Sequence, residues 1–335
     1  MIFSLSAPRP FHRLFHRPFH RPCAQARAIA TLSAGLLALV LGSSPAALMA
    51  QPQEQAAPAD RGAVETAQAP SNASGPELQT EFENSAFAGD FLSAGIGVGI
   101  GPSYVGSDDY QVVPIPVFQG RVGGIAINPR PAGFALDVID DGRKPVSLQF
   151  GPAVRLNFNR AVDTRDELVE AFPRLDPAVE VGPNVGINFN GVLHSVDSLT
   201  LGADVLWDIA GAHNGLAVRG NATYFTPVSR GAAVTLSGHA TWIDDSFADY
   251  YYTVDPALAP GTPLPAFEAQ GGFQSAGVTS LVFVDLDGDL LNGGLALFGV
   301  VNYSRVLGDA ATSPFTSVAG SADQFFGGVG IGYTF

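Results

Sequence analysis

The histidines and the acidic turns after residue 50 have the residue types that could support catalysis or metal binding. His194 precedes Ser195, and a serine hydrolase needs a hydroxyl nucleophile within reach of a base. The Gly-x-Ser-x-Gly motif that presents such a serine on a sharp turn is absent from the sequence. Adjacency along the chain does not by itself give a catalytic geometry. We therefore predict no catalytic residue and keep a hydrolase as an alternative.

Two acidic turns are candidates for binding a cation. Asp285-Leu-Asp-Gly-Asp289 resembles the start of a calcium loop, but an EF-hand needs Glu at the twelfth position, where Ala296 stands. Gly106-Ser-Asp-Asp-Tyr110 contains residues that stabilise turns through local hydrogen bonds. Its functional alternative is a contact with a divalent cation or with lipopolysaccharide. We favour a structural turn in both places and predict no metal and no cofactor.

The amino-terminal part of the chain is predicted to be a targeting segment followed by a spacer, and not a folded domain. Residues 1–50 contain five arginines and no acid, then the apolar run Ala28–Leu41 and the small residues Ala46–Ala50. This order is typical of a secretory signal peptide, and the run is too short to span a bilayer as a helix. Residues 51–89, rich in Gln, Ala, Pro and Glu, predict a flexible periplasmic spacer.

The net charge of the chain argues against one class of partner, the nucleic acids. The 335 residues include 17 basic and 31 acidic side chains, which gives a net charge of −14. A nucleic-acid-binding protein needs a basic face, so we predict no nucleic-acid partner. The single cysteine also excludes a disulfide scaffold.

From residue 90 onward, apolar and polar side chains alternate with a period of two. In 146–158, Val146, Leu148 and Phe150 share one face, while Ser147 and Gln149 share the other. These segments are about 10 to 13 residues long, against about 5 to 6 for strands of soluble proteins. The apolar face carries almost no charge, and the other face is polar. Residues 90–335 therefore predict an all-β fold, a transmembrane antiparallel up-and-down β-barrel.

Twelve segments fit this strand pattern, or ten if the region 120–140 contributes none. The three longest connections, 159–176, 244–275 and 306–322, fall on the same side of the barrel. Short turns on one side and long loops on the other are typical of outer-membrane barrels. The predicted strands are 91–101, 111–120, 122–129, 132–139, 145–158, 177–190, 198–208, 215–227, 230–243, 276–286, 293–305 and 323–335.

Polar residues on the predicted strands identify a candidate lumen. They could form a hydrogen-bonded network that fills a small barrel, or they could line a narrow channel or a solute pocket. A barrel of about twelve strands lies between filled barrels and porins in size, so both alternatives stay open. The candidates are Arg155, Asn157, Glu180, Asn184, Asn188, Asp204, Arg219, Asn221 and His239.

Three local patterns add detail to the barrel prediction. Val329, Ile331, Tyr333 and Phe335 alternate at the end of the sequence, as in the terminal strand signal read by the barrel assembly machinery. Pro114 and Pro116 predict a bulged or locally unpaired stretch of the second strand, because proline cannot donate to a ladder. The residues 250–252, all tyrosine, predict an external aromatic girdle, with an adhesive loop as the alternative.

Three stretches of the barrel region also carry a family resemblance. The first extends from Gly95 to Phe118, the second from Tyr250 to Phe273, and the third from Tyr303 to Phe335. Together they resemble the MipA/OmpV family of outer-membrane proteins, the MltA-interacting scaffold proteins, over roughly 90–335. The long spacer before the first strand departs from the family pattern.

The resemblance implies a barrel without enzymatic activity, located in the cell outer membrane. The family includes a scaffold that links a lytic transglycosylase to a peptidoglycan synthase. We therefore expect a scaffold or structural protein whose partners are a murein hydrolase and a murein synthase. Outer-membrane lipid and the barrel assembly machinery are further expected partners. A passive channel for small solutes and an adhesin-like surface antigen are the alternatives.

Overall fold

A closed barrel of twelve antiparallel strands dominates the computed structural model, which describes residues 85–139 and 144–335. Each strand pairs with its neighbours in sequence, and β1 closes the ring against β12. The prediction of twelve strands is confirmed, and the alternative of ten is wrong. The strands are β1 (Phe91–Pro102), β2 (Tyr110–Val122), β3 (Ile125–Arg130), β4 (Gly133–Asp137), β5 (Val146–Asn157), β6 (Ala178–Asn190), β7 (Ser198–Asp208), β8 (Leu216–Ser229), β9 (Ala232–Ile243), β10 (Gly272–Asp285), β11 (Gly294–Val306) and β12 (Asp323–Thr334).

The predicted signal peptide and nearly all of the predicted spacer lie outside the described residues. Those two assignments therefore stay predictions.

The alternation of side chains gives the barrel an apolar exterior. On β5, Val146, Leu148 and Phe150 are exposed by 47%, 53% and 50%, while Ser147 and Gln149 between them are less exposed. Successive side chains of a strand point to opposite faces, so the apolar set faces away from the lumen. A soluble protein would bury such residues, whereas a membrane barrel exposes them to lipid.

The barrel wall has its fewest cross-strand pairs around the hairpin of β3 and β4. β2 pairs with β1 along nearly its whole length, but with β3 only at Gly120–Val122. β4 pairs with β5 only at Gly133–Ala135. Pro114 and Pro116 lie in the part of β2 that has no recorded pair with β3. The predicted unpaired stretch is therefore present on the side of β2 that faces β3. Toward β1 the register is continuous, so the predicted bulge does not occur there.

Glycines line the inner faces of the two strands that close the barrel. A Cβ atom at Gly97 would lie 2.9 Å from Cζ of Phe298, and one at Gly101 would lie 2.8 Å from Cδ2 of Phe326. The missing side chains let both aromatic rings lie against the wall. These glycines are Gly95, Gly97, Gly99 and Gly101 on β1 and Gly328, Gly330 and Gly332 on β12.

The connections differ in length between the two ends of the barrel. At the turn end, where β1 begins and β12 ends, they comprise residues 123–124, 138–145, 191–197, 230–231 and 286–293. At the cap end, residues 158–177, 244–271 and 307–322 form three long loops, as the sequence predicted.

These connections contain short helices. In the described part of the chain, no helix has both the length and the hydropathy needed to cross a bilayer. The helices are α1 (Glu167–Glu170), α2 (Asp245–Tyr252), α3 (Gly308–Thr312) and α4 (Pro314–Ser317), with 3-10 turns at Pro256–Leu258 and Leu290–Asn292.

Five loops at the cap end pack together into a compact layer that we call the cap: 103–109, 158–177, 209–215, 244–271 and 307–322. One of its apolar clusters surrounds Phe247, Tyr251 and Tyr252 and includes the strand-end residue Val306. A second cluster contains Tyr104, Val169, Phe172, Val254, Ala259, Leu264, Phe315 and Ala319.

The cap corrects the prediction of an aromatic girdle at residues 250–252. Tyr251 and Tyr252 are exposed by 0% and 1%, because α2 directs both rings into the cap. A girdle residue would face the lipid interface. Both tyrosines are instead part of the cap's apolar core.

Candidate lumenal site and cap

A charged cluster lies in the lumen beneath the cap, where β5 meets β6. The fully buried carboxylate of Glu180 accepts hydrogen bonds from Arg155 Nε at 2.6 Å and Asn157 Nδ2 at 2.9 Å. His213 of the cap lies with Nε2 at 3.3 Å from Glu180 Oε1. The Nδ1 atom of His213 accepts the backbone N–H of Gly215, so the neutral ring carries its proton on Nε2 and donates to Glu180. This contact ties the cap to the barrel wall.

A second ion pair crosses the interior of the barrel. Arg130, at the end of β3, donates from Nε to Asp204 Oδ2 at 2.8 Å and from Nη2 to Asp204 Oδ1 at 3.3 Å. Its Nη2 also donates to Asn184 Oδ1 at 3.2 Å. β3 and β7 are four strands apart in the ring, so this pair bridges the lumen. The bridge reduces the open cross-section of the barrel.

Arg219 lies beside this bridge without a partner of its own. It stands opposite Asp204 in the register of β7 and β8, but Arg130 already occupies both carboxylate oxygens. Within the described residues, Arg219 makes no hydrogen bond and no ion pair. His239 is its electrostatic neighbour. Nδ2 of Asn184 is also buried without a partner.

The lumen nearer the turn end carries neutral polar groups. Thr200 Oγ1 donates to Asn188 Oδ1 at 2.7 Å, which links β7 to β6. Asn221 Nδ2 donates to Thr223 Oγ1 at 3.3 Å, and Thr223 Oγ1 lies 2.8 Å from Ser237 Oγ. These side chains are half-buried. On the lumenal faces of β5 to β9, the charged groups thus lie toward the cap, and the neutral polar groups lie toward the turn end.

The structure places all nine sequence-derived candidates on strand faces directed into the barrel: Arg155, Asn157, Glu180, Asn184, Asn188, Asp204, Arg219, Asn221 and His239. Sequence reasoning missed Arg130 and did not anticipate that His213 reaches inward. β3 has six residues, too few for clear alternation, and His213 lies in a loop, where no periodicity indicates the direction of a side chain.

Arg160 connects three loops of the cap. Its Nη1 donates to the carbonyl of Tyr251 at 3.1 Å, and its guanidinium lies 3.8 Å from the ring centroid of Phe315. Burial lowers the pKa of Arg160 to about 10, so the group stays charged at neutral pH. The hydroxyl of Tyr104 lies 2.9 Å and 2.7 Å from the carbonyl oxygens of Phe315 and Ala319, in donor geometry to both. These contacts hold loops 103–109, 158–177, 244–271 and 307–322 together.

The acidic turn at Gly106–Tyr110 forms part of the cap. Gly106 has a φ of 105°, in the region that favours glycine, and Ser107 is fully buried with Oγ 3.0 Å from Ser103 Oγ. The carboxylates of Asp108, Asp109 and Asp166 come within 4.8 Å of one another. Asp166 Oδ1 already accepts two backbone N–H groups as the N-cap of α1, which favours the structural interpretation.

The acidic turn at the opposite end is held by its own backbone. Asp285 Oδ1 accepts the N–H groups of Asp287 and Gly288 at 2.9 Å and of Asp289 at 3.2 Å. One carboxylate oxygen therefore organises the whole connection between β10 and β11, which favours a structural turn.

The proposed hydrolase pair lies in the connection between β6 and β7. Both His194 and Ser195 are exposed there. The nearest acid, Asp197, accepts the backbone N–H groups of Val192 and Leu193 and of His194 itself. Its carboxylate is thus committed to the turn and does not orient an imidazole ring.

Three residues of the predicted assembly signal lie on the outer face of β12, and Phe335 directly follows the strand. Val329, Ile331 and Tyr333 are exposed there, and the rings of Tyr333 and Phe335 meet edge-on with centroids 4.7 Å apart. Recognition by the assembly machinery stays a prediction.

The fold and the distribution of polarity define a class of protein. A closed antiparallel sheet satisfies its backbone hydrogen bonds internally, which is what a spanning sheet in lipid requires. The apolar exterior, the charged lumen and the short turns opposite long loops are those of an outer-membrane β-barrel. The turn end is then the periplasmic end, and the cap faces the exterior.

The family model described as MltA-interacting protein MipA matches residues 94–335. The chain therefore belongs to this family, and the match extends from within β1 to the end of β12. A comparison with curated proteins finds no match.

Solved outer-membrane proteins of Pseudomonas aeruginosa show a distant likeness. OccK11 (OpdR) is 10% identical, with 73% of this chain and 95% of that chain covered and a TM-score of 0.25. OprD is 10% identical, with 73% and 94% covered and a TM-score of 0.24. Scores this low support no conclusion about the function of this chain.

Proposed function

We propose that this protein is a non-enzymatic scaffold of the outer membrane that binds a peptidoglycan-remodelling enzyme at its periplasmic end. The proposal rests on the contacts that fill the interior. The cap covers one mouth, and the pair of Arg130 and Asp204 bridges the lumen. An interior narrowed in this way favours a function at the surfaces of the barrel over one that needs a passage.

The periplasmic turn 191–197 supplies a preorganised docking surface. Leu193 and Val192 are exposed by 71% and 44%. Asp197 fixes the backbone of both residues through their N–H groups. A rigid turn that presents apolar side chains lowers the entropic cost of binding.

The family description supports this choice of partner class, because it names an MltA-interacting protein. We therefore propose a murein hydrolase of the lytic transglycosylase type as the direct partner and a murein synthase as a further member of the assembly. The predicted spacer at 51–89 would extend the reach of the chain toward the cell wall.

Binding of a purified MltA-type lytic transglycosylase to the refolded full chain tests this proposal. Leu193→Asp is expected to reduce binding, because it places a charge at the centre of the proposed contact. Leu258→Asp is the matched control, since Leu258 is exposed by 58% at the opposite end. Absence of binding by the unmodified protein, or equal loss in both variants, would contradict the proposal.

A passive channel is the second candidate function, favoured by the polar face of the lumen. The unpaired Arg219 and the half-buried amides and hydroxyls below it would suit a path for small solutes. This function requires the cap to open.

A further inference from the structure

We propose that the lumen contains a binding site for a small oxyanion, a carboxylate or a phosphate group, formed by Arg219, Asn184 and His239. The site lies beside the bridge between β3 and β7. Neither the family description nor the scaffold proposal assigns it.

The charges of the lumenal groups near the cap do not balance. Arg155 is paired with Glu180, and Arg130 is paired with Asp204. Each pair is formally neutral. Arg219 lies within electrostatic range of Arg155, Arg130 and Asp204 and adds one uncompensated positive charge. A cation that is held among other cations inside a low-dielectric wall attracts an anion.

Asn184 supplies the second, independent observation. Its side chain is exposed by only 1%, and its Nδ2 has no hydrogen-bond acceptor. A flipped amide would bring two N–H groups against Arg130 Nη2, which now donates to Asn184 Oδ1. The orientation of the amide is therefore fixed, and a buried donor is left unsatisfied. Such a group costs stability unless a ligand or water completes it.

The strand register brings the two unsatisfied donors to one level of the barrel. Asn184 pairs with Asp204, and Asp204 pairs with Arg219, so the three residues form one row across β6, β7 and β8. Asn184 and Arg219 are thus separated by two strand spacings, about 10 Å between backbones, a gap that the long arginine side chain reduces. Asp204 lies between them, but both of its oxygens face Arg130.

His239 completes the site on the adjacent strand. It pairs with Asn221 and lies diagonal to Arg219, and it makes no hydrogen bond within the described residues. A neutral imidazole donates one N–H group to an acceptor. Arg219 and Asn184 Nδ2 offer only N–H donors to the lumen, and His239 adds one more, so this group of side chains favours a ligand rich in acceptors, such as an oxyanion. The planar guanidinium fork fits two oxygens of a carboxylate or a phosphate.

Calorimetric titration of the refolded full chain with sodium acetate and, separately, sodium phosphate in low-salt HEPES buffer tests the site. We expect saturable one-to-one binding of at least one anion, and the two titrations distinguish a carboxylate from a phosphate ligand. Arg219→Gln is expected to weaken binding about tenfold or more, since it removes a charged donor. Arg305→Gln, which makes the same change in an exposed pair outside the lumen, should leave binding unchanged.

Asn184→Asp keeps the proposal testable if Arg219→Gln fails to fold. The variant replaces the unsatisfied donor with a carboxylate and should abolish anion binding, while the heat-modifiable gel shift reports whether the barrel has folded. The proposal would be overturned if neither anion bound the unmodified protein. Binding that is unchanged in a folded Arg219→Gln or Asn184→Asp variant would also overturn it.

Discussion

In the cap, the largest fully buried side chains are aromatic, such as Tyr251, Tyr252 and Phe315. In the lumen directly beneath, the largest fully buried side chains are Glu180 and Asn184. The two regions meet at His213, which packs against Phe247 of the cap and donates to Glu180 of the wall. The two larger apolar clusters of the described residues therefore lie mainly in the loops, whereas the barrel interior combines charged and polar groups with a small apolar cluster of Ala135, Ala153 and Leu206.

The difference follows from the two solvents that surround the chain. Strands in lipid gain nothing from burying apolar residues inward, so their inner faces are free to carry charges and glycines. Loops in water must bury apolar surface to become ordered, so they form a small core of their own. The cap should therefore respond to loss of volume, and the lumen should respond to loss of charge.

The largest expected effect comes from removing a ring from the cap. Tyr252→Ala deletes a ring that is exposed by 1% and the hydroxyl that accepts from Gln274, and it should destabilise the cap by about 4 kcal/mol. Limited proteolysis of 244–271 and chemical unfolding measure the loss. Phe273→Ala, at a position exposed by 61%, should change stability by less than about 0.5 kcal/mol. Equal effects of the two variants would show that the cap has no core.

Removing one charge from the lumen should have the next largest effect. Glu180→Gln keeps the shape of the side chain but leaves Arg155 buried without its counter-ion, which should cost about 3 kcal/mol. Urea unfolding of the refolded barrel measures it. Asp323→Asn breaks the exposed pair with Arg305 and should cost less than about 1 kcal/mol. If both variants lost equally little, the lumenal charges would be fully solvated.

The aromatic side of the lumen gives a smaller, steric effect. Gly101→Ala brings a Cβ to 2.8 Å from Phe326 Cδ2, and the resulting overpacking should cost about 2 kcal/mol. The second change Phe326→Leu should recover part of this loss. Gly238→Ala, where no atom lies within 4 Å of the new Cβ, is the control. Thermal unfolding compares the four proteins, and no rescue by Phe326→Leu would contradict the steric explanation.

The smallest effect is expected at a periplasmic turn and depends on pH. Burial opposes ionisation of Asp197, but hydrogen bonds from Tyr224 and from the backbone of Leu193, His194 and Val192 outweigh it, so its pKa lies below the ordinary value. The stabilisation is then fully present above the ordinary carboxyl pKa of about 4 and is lost as the pH falls through the lower, folded-state pKa.

Asp197→Asn should therefore cost about 1 kcal/mol at pH 7 and progressively less below pH 4. Urea unfolding of both proteins between pH 2 and pH 7 tests this trend. Glu268→Gln, at an exposed carboxylate in the cap, should show no comparable dependence on pH. A penalty for Asp197→Asn that stays constant across the range would contradict the assignment.

The barrel could be predicted from sequence because the alternation of apolar and polar residues depends only on neighbouring positions in the chain. Alternation in β5, β6 and β9 fixes which residues face lipid, and the lengths of the connections fix which loops share an end. The cap could not be predicted in this way, since Tyr251 meets Arg160 from 91 positions away. No periodicity in the loops indicates such a contact.

The sequence predicts which side chains face the lumen, but it does not predict which of them form ion pairs. The alternation along each strand identifies Asp204 and Arg219 as inward-facing. The two residues stand directly opposite each other on β7 and β8, which suggests that they form an ion pair. Arg130 donates to both oxygens of Asp204 instead, because its side chain reaches across the lumen from the end of β3. The unpaired state of Arg219 thus depends on a contact between strands that are far apart in the ring.

Single-channel conductance of the refolded full chain in a planar bilayer tests most directly whether the cap and the lumenal pairs close this barrel. A heat-modifiable gel shift first establishes that the inserted protein is folded. We expect a folded barrel that is electrically silent, and current that appears when Tyr252→Ala loosens the cap. Steady ohmic steps from the unmodified protein would contradict the closed interior and would favour the channel over the scaffold.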